Sequence, residues 1–136
     1  MKDKVALITP SFNRAYIINE TAESIFAQTH ENWEWVIVDD GSTDESWDLI
    51  QSFVARDSRV KALQRDRGPK GACTCRNMAV EMTDADWLIF LDTDDILHPH
   101  CIEQRLAASA AAKYREVLYF PILVFEHSTE ECFLWD

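Results

Sequence analysis

Three short apolar runs, Val5-Ala6-Leu7-Ile8, Trp35-Val36-Ile37-Val38 and Trp87-Leu88-Ile89-Phe90-Leu91, each break into a polar cluster within a few residues. This pattern constrains the fold more than any other feature of the chain. A strand that is apolar at every position, rather than at every second one, belongs in a parallel sheet covered on both faces. The segment Arg59–Leu63 alternates instead, which predicts a strand near the sheet edge.

The stretches between the runs have helical spacing. Residues 15 to 28 place Ile17, Thr21, Ile25 and Gln28 on one face, with Ile18 and Ala22 beside it. Residues 43 to 55 gather Trp47, Ile50, Phe53 and Val54, with Ser42 and Glu45 spaced as a capping box. Residues 71 to 82 are expected to bury Ala72, Cys75, Ala79 and Met82. A fourth helix begins near Pro99 and turns Ile102, Leu106 and Ala110 inward. The tail predicts further strands at 117–120 and 122–125, interrupted by Pro121. Strand and helix alternating in this order predict an α/β fold, a three-layer sandwich with a mostly parallel sheet. Without repeats or a Gly/Ser linker, residues 1–136 read as a single domain, and 47% apolar residues supply its core.

Composition narrows the partners. A net charge of −11 opposes nucleic-acid backbones and anionic membranes. The sequence has no apolar run of the roughly 18 residues that cross a bilayer, nor a start that reads as a signal peptide. A cytoplasmic protein is therefore expected, with any membrane association left to parts outside this chain. Cys73, Cys75, Cys101 and Cys132 lack zinc-type spacing and read as reduced packing residues.

In open parallel sheets ligands bind beyond the carboxyl ends of the strands. Those ends carry Thr9-Pro10-Ser11-Phe12-Asn13-Arg14, Asp39-Asp40-Gly41-Ser42-Thr43 and Asp92-Thr93-Asp94-Asp95. Five aspartates on one rim repel one another unless a cation or a shared proton relieves them. Carboxylate oxygens suit Mg2+ or Mn2+. Alternation in an extended segment lets Asp92 and Asp94 share a side while Asp95 faces another ligand. In the 39–40 pair one acid is expected to serve the turn and helix start, leaving the other for the N–H edge of a nucleobase. Phe12 either stacks on that base or packs the rim. Arg14, Arg67, Lys70 and Arg76 are candidate diphosphate partners, and 67–71 reads as a mobile loop ahead of a helix.

Taken with Gln28-Thr29 and the run from Gly71 to Arg76-Asn77-x-Ala79, these clusters resemble glycosyltransferase family 2 with the GT-A fold, over residues 4 to about 112. The resemblance implies inverting transfer of a sugar from a nucleoside diphosphate donor, usually UDP-linked, assisted by Mn2+ or Mg2+. It places Pro10 and Phe12 in the base pocket and Asp40 at the base edge, with Asp39 among the donor-binding residues. It assigns Asp92, Asp94 and Asp95 to ribose and metal, with Asp94 and Asp95 as the metal pair, and sets Arg76 near the pyrophosphate. The acceptor, a saccharide or a lipid-linked species, and the general base are expected beyond this chain, as in a donor-binding portion of a longer protein. Glu126, Glu130, Glu131 and Asp136 match no base motif. The alternative is a non-catalytic nucleotide-sugar-binding module of the same fold. A phospho-accepting receiver domain is disfavoured, because its acid pair would follow the first strand and Asp39-Asp40 follows the second.

Overall fold

The computed structural model describes residues 3–112 together with 117, 118, 120, 123, 124, 133 and 134. Contacts gather the chain into two compact units, Met1–Leu106 and Ala107–Asp136. The first runs β1 (Val5–Ser11), α1 (Ile18–Phe26), β2 (Trp33–Asp39), α2 (Ser46–Arg56), β3 (Val60–Gln64), α3 (Ala72–Glu81) and β4 (Trp87–Phe90), and α4 (Cys101–Ala111) starts within it. The four strands form one parallel sheet in the order β3-β2-β1-β4. In the second unit, β5 (Leu123–Val124) pairs antiparallel with β6 (Phe133–Leu134).

The two inner strands sort their apolar residues by the two-residue period of a strand. Val5, Leu7, Trp35 and Ile37 pack with Ile18, Ala22 and Ile25 of α1, Ile50 and Phe53 of α2, and Ile102 of α4. Ala6, Ile8, Val36 and Val38 pack on the opposite face with Cys75, Met78 and Ala79 of α3. This is the expected three-layer α/β sandwich, with β3 at an edge as its alternation predicts.

Several local expectations are corrected. Strand β4 is not buried on both faces: among the described residues it is the other edge strand, and Leu88 and Phe90 are 39% and 60% exposed. The Ser42–Glu45 capping box does not form. Helix α2 begins at Ser46, whose N–H donates to Asp44 Oδ1 at 2.9 Å, while Ser42 bonds Asp39. Pro99 precedes α4 by two residues, and Gln28 Oε1 accepts from Ile102 N at 3.1 Å at that helix's start. Ala72, Ala110 and Cys73 are exposed and Met82 is half-buried, with Met78 taking the inward position on α3. In the tail, Val117, Leu118 and Phe120 lie outside strand structure, and of the 122–125 stretch Leu123 and Val124 are strand. Tyr119, Pro121, Ile122, Phe125, Cys132, Glu126, Glu130, Glu131 and Asp136 lie outside the described residues.

At the amino-terminal edge of the sheet, Glu34 is buried between Lys4 Nζ at 3.1 Å and Lys61 Nζ at 2.8 Å, and it accepts from the Thr83 hydroxyl. Burial alone would push its carboxyl up. Hydrogen bonds from Lys61, Thr83 and Lys4 outweigh that, and the net shift is below the ordinary 4.5. A lowered carboxyl contributes stability that is complete above its unfolded value and is lost as pH falls through its folded value. Glu34→Gln is expected to cost about 1–3 kcal/mol in urea unfolding at pH 7. That difference should shrink as the wild type is acidified below 4.5. A pH-independent difference would assign the effect to packing.

Candidate functional site

Parallel pairing brings the carboxyl ends of all four strands to one rim. Ser11 pairs with Asp39, and Asp39 with Gln64. Beyond these ends lies a pocket of about 230 Å3. Pro10, Ser11, Phe12 and Arg14 line it from the β1 end, and Asp40 from the β2 end. Cys75 and Arg76 face it from α3, and Asp92, Thr93 and Asp94 from the β4 end. The sequence-predicted residues Pro10, Phe12, Asp40, Arg76, Asp92 and Asp94 therefore share one cavity. Asp95 sits beside it within the same acidic turn.

The aspartate pair divides its labour. Asp39 is fully buried, and its Oδ2 accepts from the N–H groups of Gly41 at 3.1 Å and Ser42 at 2.9 Å. Its Oδ1 accepts from Ser42 Oγ at 2.5 Å. Gly41 adopts φ +81°, a left-handed conformation that glycine takes without steric cost. Asp39 thus holds the turn and does not line the pocket. Asp40 does, with its Oδ2 accepting from Gly71 N at 3.0 Å and its Oδ1 from Arg65 Nε. Arg65 also donates to Gly68 O at 3.0 Å, tying the 67–71 loop to the acid.

Arg65 was not among the sequence candidates. The signal was present in the strand order: β3 adjoins β2, so the residue after Gln64 reaches the residue after Asp39. The Cys75 thiol, buried and facing Asp40, is pushed up to about 11 by burial and then by that neighbouring negative charge. It stays neutral near pH 7 and is a poor nucleophile.

The first two loops are locked together. Asn13 stands at φ 50°, its N–H donates to Ser42 Oγ at 2.9 Å, and its Oδ1 accepts from Thr43 N at 2.8 Å. Arg14 N donates to Ser46 Oγ at 2.8 Å. This clasp sets Phe12, 36% exposed, across from Asp40. Lys70 Nζ lies over the Phe12 ring, 3.8 Å from its centroid. Arg67 pairs with Glu81 and Asp66 and does not line the pocket. Ser11 is 2% exposed, and among the described residues its Oγ has no hydrogen-bond partner.

At the other end, Asp92, Asp94 and Asp95 each offer a carboxylate oxygen within 4.8 Å of the others. Asp95 N donates to Asp92 O at 3.2 Å, closing the turn. Arg76 donates to Asp92 Oδ1 at 2.8 Å. Asp95 is exposed as a residue, yet partial desolvation of its carboxyl and the charges of Asp94 and Asp92 raise it above the usual range. Three converging oxygen donors whose like charge is only partly offset, by Arg76 at Asp92, fit a hard divalent ion.

The chain resembles known proteins in sequence and in fold. Residues 6–131 match the family described as Glycosyl transferase family 2. Glycosyltransferase GlyG of Streptococcus pneumoniae is 34% identical over 104 residues, 76% of this chain and 34% of that protein. The Escherichia coli protein WfgD, named a UDP-Glc:alpha-D-GlcNAc-diphosphoundecaprenol beta-1,3-glucosyltransferase, is 34% identical over 103 residues, 76% of this chain and 40% of its own length. The chain thus spans between about a third and two fifths of these relatives. Among solved structures, S. aureus TarS in complex with UDP superposes with a TM-score of 0.73 at 24% identity, covering 79% of this chain and 32% of that one. The mannosyltransferase PcManGT from Pyrobaculum calidifontis, in complex with GDP-Man and Mn2+, superposes at 0.68 with 20% identity, covering 81% and 32%. These likenesses establish the fold as the GT-A type.

Asn13 should be sensitive to substitution. Asn13→Ala removes the bond to Thr43 and leaves a non-glycine residue in the left-handed region, which should cost about 2 kcal/mol in urea unfolding. Asn13→Gly should cost less, because glycine adopts that φ freely. Equal losses in the two variants would show that backbone strain contributes nothing.

Proposed function

Because this chain belongs to glycosyltransferase family 2, we propose that its pocket binds a nucleoside diphosphate sugar, by preference UDP-linked, with Mn2+ or Mg2+ at the acidic turn. The observation that carries this reading is the polarity of one cavity. Phe12 and Asp40 line it from the β1 and β2 ends, the acidic turn lines it from the β4 end, and Arg76 of α3 lines it while bonded to Asp92. Phe12 offers a face for the base, and Asp40 an acceptor for its N–H edge. Asp92 can accept from ribose hydroxyls. Asp94 and Asp95 would hold the ion, with Arg76 near the diphosphate. When bound, the ion stabilises charge on the departing diphosphate as a Lewis acid.

The cavity of about 230 Å3 is smaller than the roughly 300–1,000 Å3 of common small-ligand pockets. Lys70 leaving the Phe12 ring would expose that ring face and free an ammonium for the ligand. Asp40 keeps acceptor capacity beyond its bonds to Arg65 and Gly71, since a carboxylate offers about four lone-pair sites.

The reaction proposed is an inverting transfer to a saccharide or lipid-linked acceptor, in a protein that supplies its general base from residues not placed here. WfgD's name, with a UDP-Glc donor and an alpha-D-GlcNAc-diphosphoundecaprenol acceptor, supports a UDP-linked donor and a lipid-linked acceptor. Among the described residues no helix is long and apolar enough to cross a membrane.

Isothermal titration tests the reading. The wild type is expected to bind UDP in a Mn2+-dependent manner, with Asp94→Asn and Asp95→Asn each weakening that binding about tenfold or more, roughly 1.4 kcal/mol. Absence of metal-dependent binding of any nucleoside diphosphate to the wild type would overturn it.

A further inference from the structure

The acidic turn is anchored from a helix that contributes nothing to the pocket lining. Thr21 of α1 is fully buried, and its hydroxyl lies 2.8 Å from Thr93 O and 2.7 Å from Asp95 O. A hydroxyl carries one proton, so the two carbonyls share it. They flank Asp94, and the backbone is thereby held on both sides of that residue. The segment from α1 through Gln28 continues the same service. Ser24 Oγ accepts from Leu97 N at 3.1 Å, and Gln28 Nε2 donates to His98 O at 2.8 Å. Thr21 and Ser24 lie on one face of α1 and Gln28 follows two residues beyond its end, so this side of the chain is a polar template for the segment from Thr93 to His98.

Three carboxylates within 4.8 Å repel one another, and without an anchor the turn would relax by splaying them. The Asp92 side chain is held separately, by Arg76. Among the described residues Asp94 has no ion pair comparable to that of Asp92 with Arg76, and its placement depends on the backbone that carries it.

We propose that Thr21 is a positioning residue for the metal site, its buried hydroxyl fixing the backbone on either side of Asp94 so that the three carboxylates converge before the ion arrives. This rests on the reading of the 92–95 turn as the metal holder. Outer-shell partners of this kind commonly govern metal affinity by factors of roughly 10–100.

The test is direct Mn2+ binding to the whole chain, followed by electron paramagnetic resonance of the free ion, with circular dichroism and thermal melting as checks on folding. Thr21→Val keeps the shape and removes the hydroxyl. It is expected to raise the Mn2+ dissociation constant about tenfold. Thr21→Ser, which keeps the hydroxyl, should stay within about threefold of wild type. Should the valine variant not fold, Thr21→Ala decides by the same criteria. A hydroxyl-less variant that melts earlier but binds Mn2+ as wild type does would overturn the proposal, leaving Thr21 a structural residue. So would a serine variant as weak as the valine one. If wild type and Asp94→Asn bind Mn2+ equally, or neither binds, the metal reading of the turn itself fails and this proposal with it. That outcome is distinct from Asp94-dependent binding that is indifferent to Thr21.

Discussion

Parallel pairing of β1 with β2 on one side and β4 on the other is the constraint on which the rest depends. Each inter-strand bond fixes direction as well as proximity, so every carboxyl end reaches the same rim. An antiparallel β4 would carry its acidic turn to the opposite edge, some four residues or about 13 Å away. The two helical layers make this arrangement stable by covering both faces of β1 and β2, whose side chains are almost entirely buried.

Placing the acids on one rim creates an electrostatic problem, and the fold answers it differently at each end. At the β2 end the charge is satisfied internally: Asp39 by the N–H groups and hydroxyl of its own turn, Asp40 by Arg65 and Gly71. At the β4 end Arg76 meets Asp92, while the three-carboxylate group remains crowded enough to raise Asp95. The acid at one end of the rim is thus neutralised, and that at the other is only partly offset. The loops bearing these groups are held by side-chain to backbone bonds, through Asn13 for the first two and Thr21 for the third. Such bonds fix a loop without requiring it to join the sheet.

Much of this was legible in the chain. The continuous apolar runs specified a covered parallel sheet, because burial on both faces removes the usual alternation. The alternation of Arg59–Leu63 placed β3 at an edge, and the clusters after each run located the rim. Where the reading departed from the structure, the cause was a competition that composition does not reveal. Strand β4 is as apolar as β1, yet it has a neighbour on one side within the described sheet, and Leu88 and Phe90 face outward. Ser42 and Glu45 have capping-box spacing, but Ser42 is drawn to Asp39 and Asn13, and the helix starts four residues later. Thr21 and Gln28 were recognisable as inward-facing, while their partners, more than 69 positions away in sequence, were not.

By itself, then, the sequence determined the architecture, the rim and the chemical character of each cluster, since these follow from periodicity and from residue type at strand ends. Tertiary structure alone decided which of two adjacent aspartates would face the cavity, that Arg65 would stand behind it, and that a threonine on α1 would hold the acidic turn. The physical reason is that burial periodicity is a local property written into neighbouring residues. A hydrogen bond between distant loops depends on angles and on distances of tenths of an ångström, and these exist only once the sheet has brought the loops together.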